Sequence, residues 1–168
     1  MVVGLLMSLY AALSPAVRAL RQRTFVLVKA EAIQRGLVGK IVSKFEKIGF
    51  KLVAMKLCQP SDEVLLRALT DIGPKTAQPS AGTGPVVVMV WEGRDVVQRT
   101  KAVIGAEEFS KSLPGSIRGD SVLSDARNVA YGSDSAAVAQ KEMSLWFQCG
   151  EIVQWESCFD EWISRANS

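Results

Sequence analysis

Apolar and polar positions alternate in blocks that change period several times along the chain. Thr24 to Val28 is short, branched and apolar, as a buried strand would be, and Lys29 closes it. Gln34 to Gly49 changes to helical spacing, with Val38, Ile41, Val42, Phe45 and Ile48 on one face and Lys40, Lys44 and Lys47 on the other. Lys51 to Gln59 predicts a second strand. Ser61 opens a short helix reaching about Leu69, with Ser-Asp-Glu capping chemistry at its start. From Asp71 to Gly84 the residues Gly73, Pro74, Pro79, Gly82 and Gly84 predict an irregular loop.

The second half repeats the order. Pro85 to Glu92 is a strongly apolar strand, Asp95 to Ile104 a helix, and Phe109 to Gly119 a loop around Leu113-Pro114-Gly115. Asn128 to Ala130 is a candidate strand, Ser135 to Phe147 a helix beginning at a Ser133-Asp134-Ser135 cap in which Ser133 and Asp134 are expected to do the capping, and Glu161 to Ala166 a short terminal helix. Strand-helix-strand followed by strand-helix-strand predicts an α+β domain of the ferredoxin-like, split βαβ kind, with an antiparallel sheet and helices on one of its faces.

Ahead of this body, Met1 to Val17 carries no charge, and Arg18, Arg21 and Arg23 follow before the first acid at Glu31. The segment is near the lower length limit for a bilayer span. It lacks the leading charge of a secretory signal, and is acid-free like a mitochondrial targeting segment. Val2, Leu5, Leu6, Leu9 and Leu13 also form a helical apolar stripe suited to docking on a partner, a membrane or the chain's own domain. The division is therefore an N-terminal apolar docking or targeting segment over residues 1–21 and one domain over residues 22–168.

Composition narrows the chemistry. A length of 168 residues, 48% of them hydrophobic, supports one core rather than two, and a net charge of +3 is too mild for a nucleic-acid surface. Cys58, Cys149 and Cys158 lack metal-site spacing. Trp91, Trp146, Trp155 and Trp162 have no basic interleaving and are expected in the core and at interfaces. The chain contains no histidine, which removes histidine nucleophiles, bases and metal ligands.

Six ordered blocks then become specific: RTFVLVK (Arg23 to Lys29), QRGLVGKIVSKFEKIGFKLVAMK (Gln34 to Lys56), GPVVVMVWEG (Gly84 to Gly93), PGSIRGD (Pro114 to Asp120), RNVAYGSDS (Arg127 to Ser135) and EMSLWF (Glu142 to Phe147). In order and spacing they resemble nucleoside diphosphate kinase, over about Gln22 to Ile163. The resemblance implies transfer of a γ-phosphate through a phosphohistidine in an Asn-x-x-His-Gly-Ser-Asp motif. This chain has Asn128-Val129-Ala130-Tyr131-Gly132-Ser133-Asp134, so Tyr131 stands at the nucleophile position. A phenol with a pKa near 10 is mostly protonated at neutral pH, and return of phosphate from its ester to a diphosphate is expected to run uphill.

By the same resemblance, Lys29 and Arg118 match phosphate-contacting residues, Asn128 the ribose contact, and Glu142 the carboxylate that orients the histidine. Lys101 stands in for a second arginine and keeps its charge without the bidentate fork. Glu107 replaces a phosphate-contacting threonine, Asp125 an apolar residue under the base, and Leu69 a phosphate-contacting tyrosine, while the Asp71 to Gly84 loop replaces the segment with the stacking aromatic. These departures lead to an expected non-catalytic member of the family: a structural or accessory subunit of a larger assembly docked through Met1 to Leu20, mitochondrial or otherwise cytoplasmic. No cofactor is expected beyond weak residual nucleotide or magnesium. A nucleotide-binding regulatory module is the alternative, and an active kinase the remote one. The family's hexamers or tetramers are less expected here than a single copy among other subunits.

Overall fold

The computed structural model describes residues 22–73, 84–106, 108, 111–121 and 129–156. The apolar segment 1–21, most of the Asp71 to Gly84 loop, Glu107, Asp125, Asn128, Cys158, Trp162 and the terminal helix expected at Glu161 to Ala166 lie outside these residues. Among the described residues no helix is long and apolar enough to cross a membrane.

Four strands form one sheet: β1 (Gln22–Val28), β2 (Lys51–Cys58), β3 (Val86–Gly93) and β4 (Ala130–Gly132). Their order is β2-β3-β1-β4. β1 and β2 both run antiparallel to β3, so they are parallel to each other with β3 inserted between them. Likewise, β3 and β4 flank β1, to which each is antiparallel. This double insertion is the split βαβ arrangement expected from the element order.

The helices are α1 (Ala30–Gln34), α2 (Val38–Lys47), α3 (Asp62–Asp71), α4 (Val96–Ile104), α5 (Ile117–Ser121) and α6 (Ala136–Trp146). They do not all lie on one face, as the alternation had suggested. Val26, Val28, Val87, Met89 and Trp91 pack with Ala32, Ile41, Phe45, Val96 and Ile104 of α1, α2 and α4. Their neighbours Phe25, Leu27, Val88 and Val90 pack with Ala139, Met143 and Trp146 of α6 and with Val64 and Leu65 of α3. Covering both faces explains why the central strands read as continuous apolar runs rather than as alternating ones.

Each face has an aromatic centre. Phe45 stacks on Trp91 at 5.2 Å between ring centroids, and Phe25 on Trp146 at 6.0 Å. Such pairs contribute roughly 0.5–1.5 kcal/mol beyond their burial.

Three local expectations change. The helix expected from Gln34 is broken at Gly36, whose φ of +66° is left-handed and suits a residue without Cβ. The result is α1, a turn, and α2. The loop expected to Gly119 gives way to α5. The last strand lies two residues further on than expected, at Ala130–Gly132, which makes Tyr131 its central residue.

Candidate active site

The short strand β4 and its flanks meet four of the five predicted pocket residues, Lys29, Lys101, Arg118 and Glu142, while Asn128 lies outside the described residues. Each holds a different point of the segment from Val129 to Asp134. The backbone N–H of Lys29 donates to the Val129 carbonyl at 3.0 Å. Arg118 donates from Nη2 to the Ala130 carbonyl at 3.2 Å and from Nη1 to the Gly105 carbonyl at 2.7 Å. Lys101 Nζ donates to the Asp134 carbonyl at 2.9 Å and lies 3.0 Å from its carboxylate. Ser133 Oγ donates to Glu142 Oε2 at 2.5 Å. Tyr131 stands in the middle, paired in register with Leu27 of β1.

Local sequence explains these positions. Lys29 ends β1 in an extended conformation (φ −76°, ψ 157°) and is the N-cap residue of α1, so its side chain belongs to a strand-to-helix junction. Lys29 and Arg118 are buried, although both are cationic. Glu142 is fully buried in the middle of α6. Burial of such groups requires polar partners, and for Glu142 one partner is the hydroxyl of Ser133. Ser133 in turn accepts from the Phe25 N–H at 3.2 Å, and its own N–H donates to the Phe25 carbonyl at 3.1 Å. The chain β1–Ser133–Glu142–α6 thereby fixes the exit of β4.

This corrects the expected capping. Ser135 caps α6, accepting from the Val138 N–H at 3.2 Å. Ser133 instead serves Glu142, and Asp134 serves Lys101. The Lys101–Asp134 pair and the Ser133–Glu142 bond were not foreseen. The 3.6 spacing of Lys101 on α4 gave no sign of its partner, whereas a polar Ser-Asp pair beside an apolar strand was a signal that could have found one.

Gly132 is a close-approach position. A Cβ there would stand 2.8 Å from Thr100 Cγ2 and 2.9 Å from Ile104 Cδ1, so α4 rests directly on β4. Tyr131 and Ala139 belong to the apolar cluster on the α6 side of the sheet, the side that also carries Glu142. Leu69, at the position of the family's tyrosine, is about half exposed on α3.

Among the described residues no group of three or more His, Cys, Asp or Glu side chains could hold a metal ion. Asp134 at the rim is engaged by Lys101.

The buried cations Lys29 and Arg118 thus stand beside one short strand of a split βαβ sheet. The chain belongs to the nucleoside diphosphate kinase family, whose profile matches residues 22–152. Nucleoside diphosphate kinase 3 of Mus musculus is 41% identical over 96% of this chain and 98% of its own length. Nucleoside diphosphate kinase B of Pongo abelii is 43% identical over 84% of this chain and 96% of its own. A crystal structure of a nucleoside diphosphate kinase family protein from Babesia bovis superimposes with a TM-score of 0.76 at 33% identity, covering 84% of this chain and 99% of that one.

These relatives overturn the expectation of a non-catalytic subunit. At 41–44% identity over most of the chain, the curated relatives bear the name of an enzyme. That expectation rested on the absence of histidine together with Glu107, Asp125, Leu69 and the replaced Asp71 to Gly84 loop, all of which are facts of the sequence. The first identifies the side chain that is missing, while phenols too form covalent intermediates in enzymes.

Proposed function

We propose that this protein is a nucleoside diphosphate kinase, moving the terminal phosphoryl group of a nucleoside triphosphate to a nucleoside diphosphate, with Tyr131 as the phosphate acceptor between the two half-reactions. The observation that carries the reading is the assembly of Lys29, Arg118, Lys101 and Glu142 around the strand that holds Tyr131. The family membership of the chain supports it.

In the first half-reaction Tyr131 Oη attacks the γ-phosphorus. The bond from that phosphorus to the bridging oxygen breaks, the departing diphosphate keeps the electron pair, and the phenolic proton leaves to water. In the second, a β-phosphate oxygen of the acceptor attacks the same phosphorus. The Tyr131 oxygen–phosphorus bond breaks, and the phenolate takes a proton back.

Phosphoryl transfer asks mostly for alignment and charge neutralisation. Lys29, Lys101 and Arg118 supply positive charge from three different elements, to which a magnesium ion would add if the substrate carried one. Glu142 acts through Ser133, holding the strand in place. A phenol titrates near 10 and an imidazole near 6.5, so at pH 7 only about one phenol in a thousand is in its nucleophilic form. Transfer is therefore expected to be slow, and because return from the ester runs uphill, phosphorylated Tyr131 is expected to accumulate unless the acceptor diphosphate is in excess. Restoring the imidazole with Tyr131→His is expected to accelerate transfer by roughly 700-fold on the same proportion. An assay of γ-labelled ATP with GDP, run on wild type and Tyr131→His, tests this. Equal rates for the two proteins would refute the assignment of Tyr131.

A further inference from the structure

Arg118 is held from outside the site. Lys44 lies in the last turn of α2, and its Nζ donates both to the Gly115 carbonyl and to Asp120 Oδ2, each at 2.6 Å. Asp120 Oδ1 accepts from the Gly115 N–H at 2.8 Å. Lys44 and Asp120 thus join the two ends of a turn whose middle is closed as well. Ser116 Oγ donates to the Leu113 carbonyl at 2.7 Å and accepts from the Gly119 N–H at 3.0 Å, and the Asp120 N–H donates to the Ser116 carbonyl at 3.0 Å. Arg118 lies inside this clasp, three residues after Gly115 and two before Asp120.

We infer that Lys44 is a positioning residue for Arg118: by clamping Gly115 to Asp120 against α2, it fixes the direction in which the guanidinium reaches Gly105, Ala130 and the substrate phosphates. The last part rests on the kinase reading above. The Lys44 ammonium, followed by the Gly115 N–H, holds the Asp120 carboxyl below its ordinary value, so the clasp is charged at neutral pH. Both side chains are partly exposed, and exposed ion pairs contribute little to stability. What the clasp contributes is geometry. Sequence alone could not find it, because Lys44 reads as one of three lysines on a solvent face and lies 76 residues from Asp120.

The test uses the full chain labelled with 15N-arginine, with Arg118 assigned by the signal lost in Arg118→Lys. In wild type the two carbonyl contacts hinder rotation of the guanidinium, giving separate Nη–H signals. In Lys44→Met these signals are expected to merge, and Lys44→Arg is expected to restore them. Asp120→Asn, a change of charge at nearly constant size, is expected to act like Lys44→Met and serves as the second variant should the first unfold. Unchanged Arg118 signals in folded Lys44→Met or Asp120→Asn would overturn the inference.

Kinetics supply the functional half. Lys44→Met is expected to raise KM for GDP by about tenfold with kcat within about twofold, the pattern of lost ground-state binding. If wild type transfers no phosphate, the kinase reading fails, and the Arg118 signals still decide the positioning claim. If transfer is normal and KM does not move, the positioning claim fails alone.

Discussion

The two edge strands of the sheet are built by opposite strategies. β2 is eight residues long and hydrogen-bonded along β3 from Lys51 to Cys58, with one irregularity between Leu52 and Ala54. The chain after α6 returns to it. Val153 N–H donates to the Val53 carbonyl at 2.8 Å, Trp155 Nε1 to the Leu52 carbonyl at 2.9 Å, and Lys56 pairs with Glu151 at 2.7 Å. β4 has three residues and only a short ladder with β1, yet side chains or backbone groups from β1, α4, α5 and α6 fix it at four points. A long ladder provides stability but moves as a unit, whereas side-chain bonds from several elements determine where one residue stands. The second strategy is the one a reacting residue requires.

The largest expected effect is at the β4 end. Glu142→Ala removes a fully buried side chain and leaves the Ser133 hydroxyl only its contacts with the Phe25 backbone, costing about 2–4 kcal/mol as a cavity and a lost hydrogen bond. Urea unfolding measures it, and a loss below about 1 kcal/mol would show that β4 does not depend on this bond.

Next comes the far end of the central strands, where Glu92 of β3 bridges Arg23 of β1 at 2.9 Å and Lys51 of β2 at 2.7 Å. Burial, the largest single influence, works to raise the Glu92 carboxyl. The hydrogen bonds from Lys51 and Arg23, with the charges of both, outweigh it and leave it below its ordinary 4.5. A depressed carboxyl stabilises the fold above pH 4.5, and that contribution is lost as pH falls through the lower folded value. Glu92→Gln should therefore cost about 1–3 kcal/mol at pH 7 and progressively less under acid. A pH series of melting temperatures checks the convergence; parallel curves for variant and wild type would contradict it.

The smallest effect on stability is expected from Lys101→Met. Its pair with Asp134 is about half exposed, so unfolding should change by less than about 1 kcal/mol. The same variant should raise KM for nucleotide, which separates positioning from stability within the β4 neighbourhood. A large loss of stability with unchanged KM would reverse that assignment.

How far this was legible from sequence depends on what each feature rests on. The strands β1 and β3 were readable because two-sided burial leaves an uninterrupted apolar run, but the same run concealed that helices cover both faces. Ser61 and Ser135 could be read as helix starts from local chemistry, and both side chains cap as such residues do. Gly36 divided a pattern that periodicity alone had joined, since periodicity does not report a positive φ. Lys29, Arg118, Tyr131 and Glu142 were found through ordered motifs, which specify positions in the chain. Their partners Val129, Ala130 and Ser133, and the pairing of Lys101 with Asp134, come from tertiary contact and leave no periodic trace. The expectation of inactivity was drawn from Tyr131 and from departures at Leu69, Glu107, Asp125 and the Asp71 to Gly84 loop, and these local changes weighed less than similarity over most of the chain.

The most direct test of the account is single-turnover transfer from γ-32P-labelled ATP to GDP, run with wild type and Tyr131→Phe under the same conditions. Wild type is expected to transfer slowly with label passing through Tyr131, and Tyr131→Phe not above background. Equal transfer by both proteins, or no transfer by folded wild type, would contradict the account.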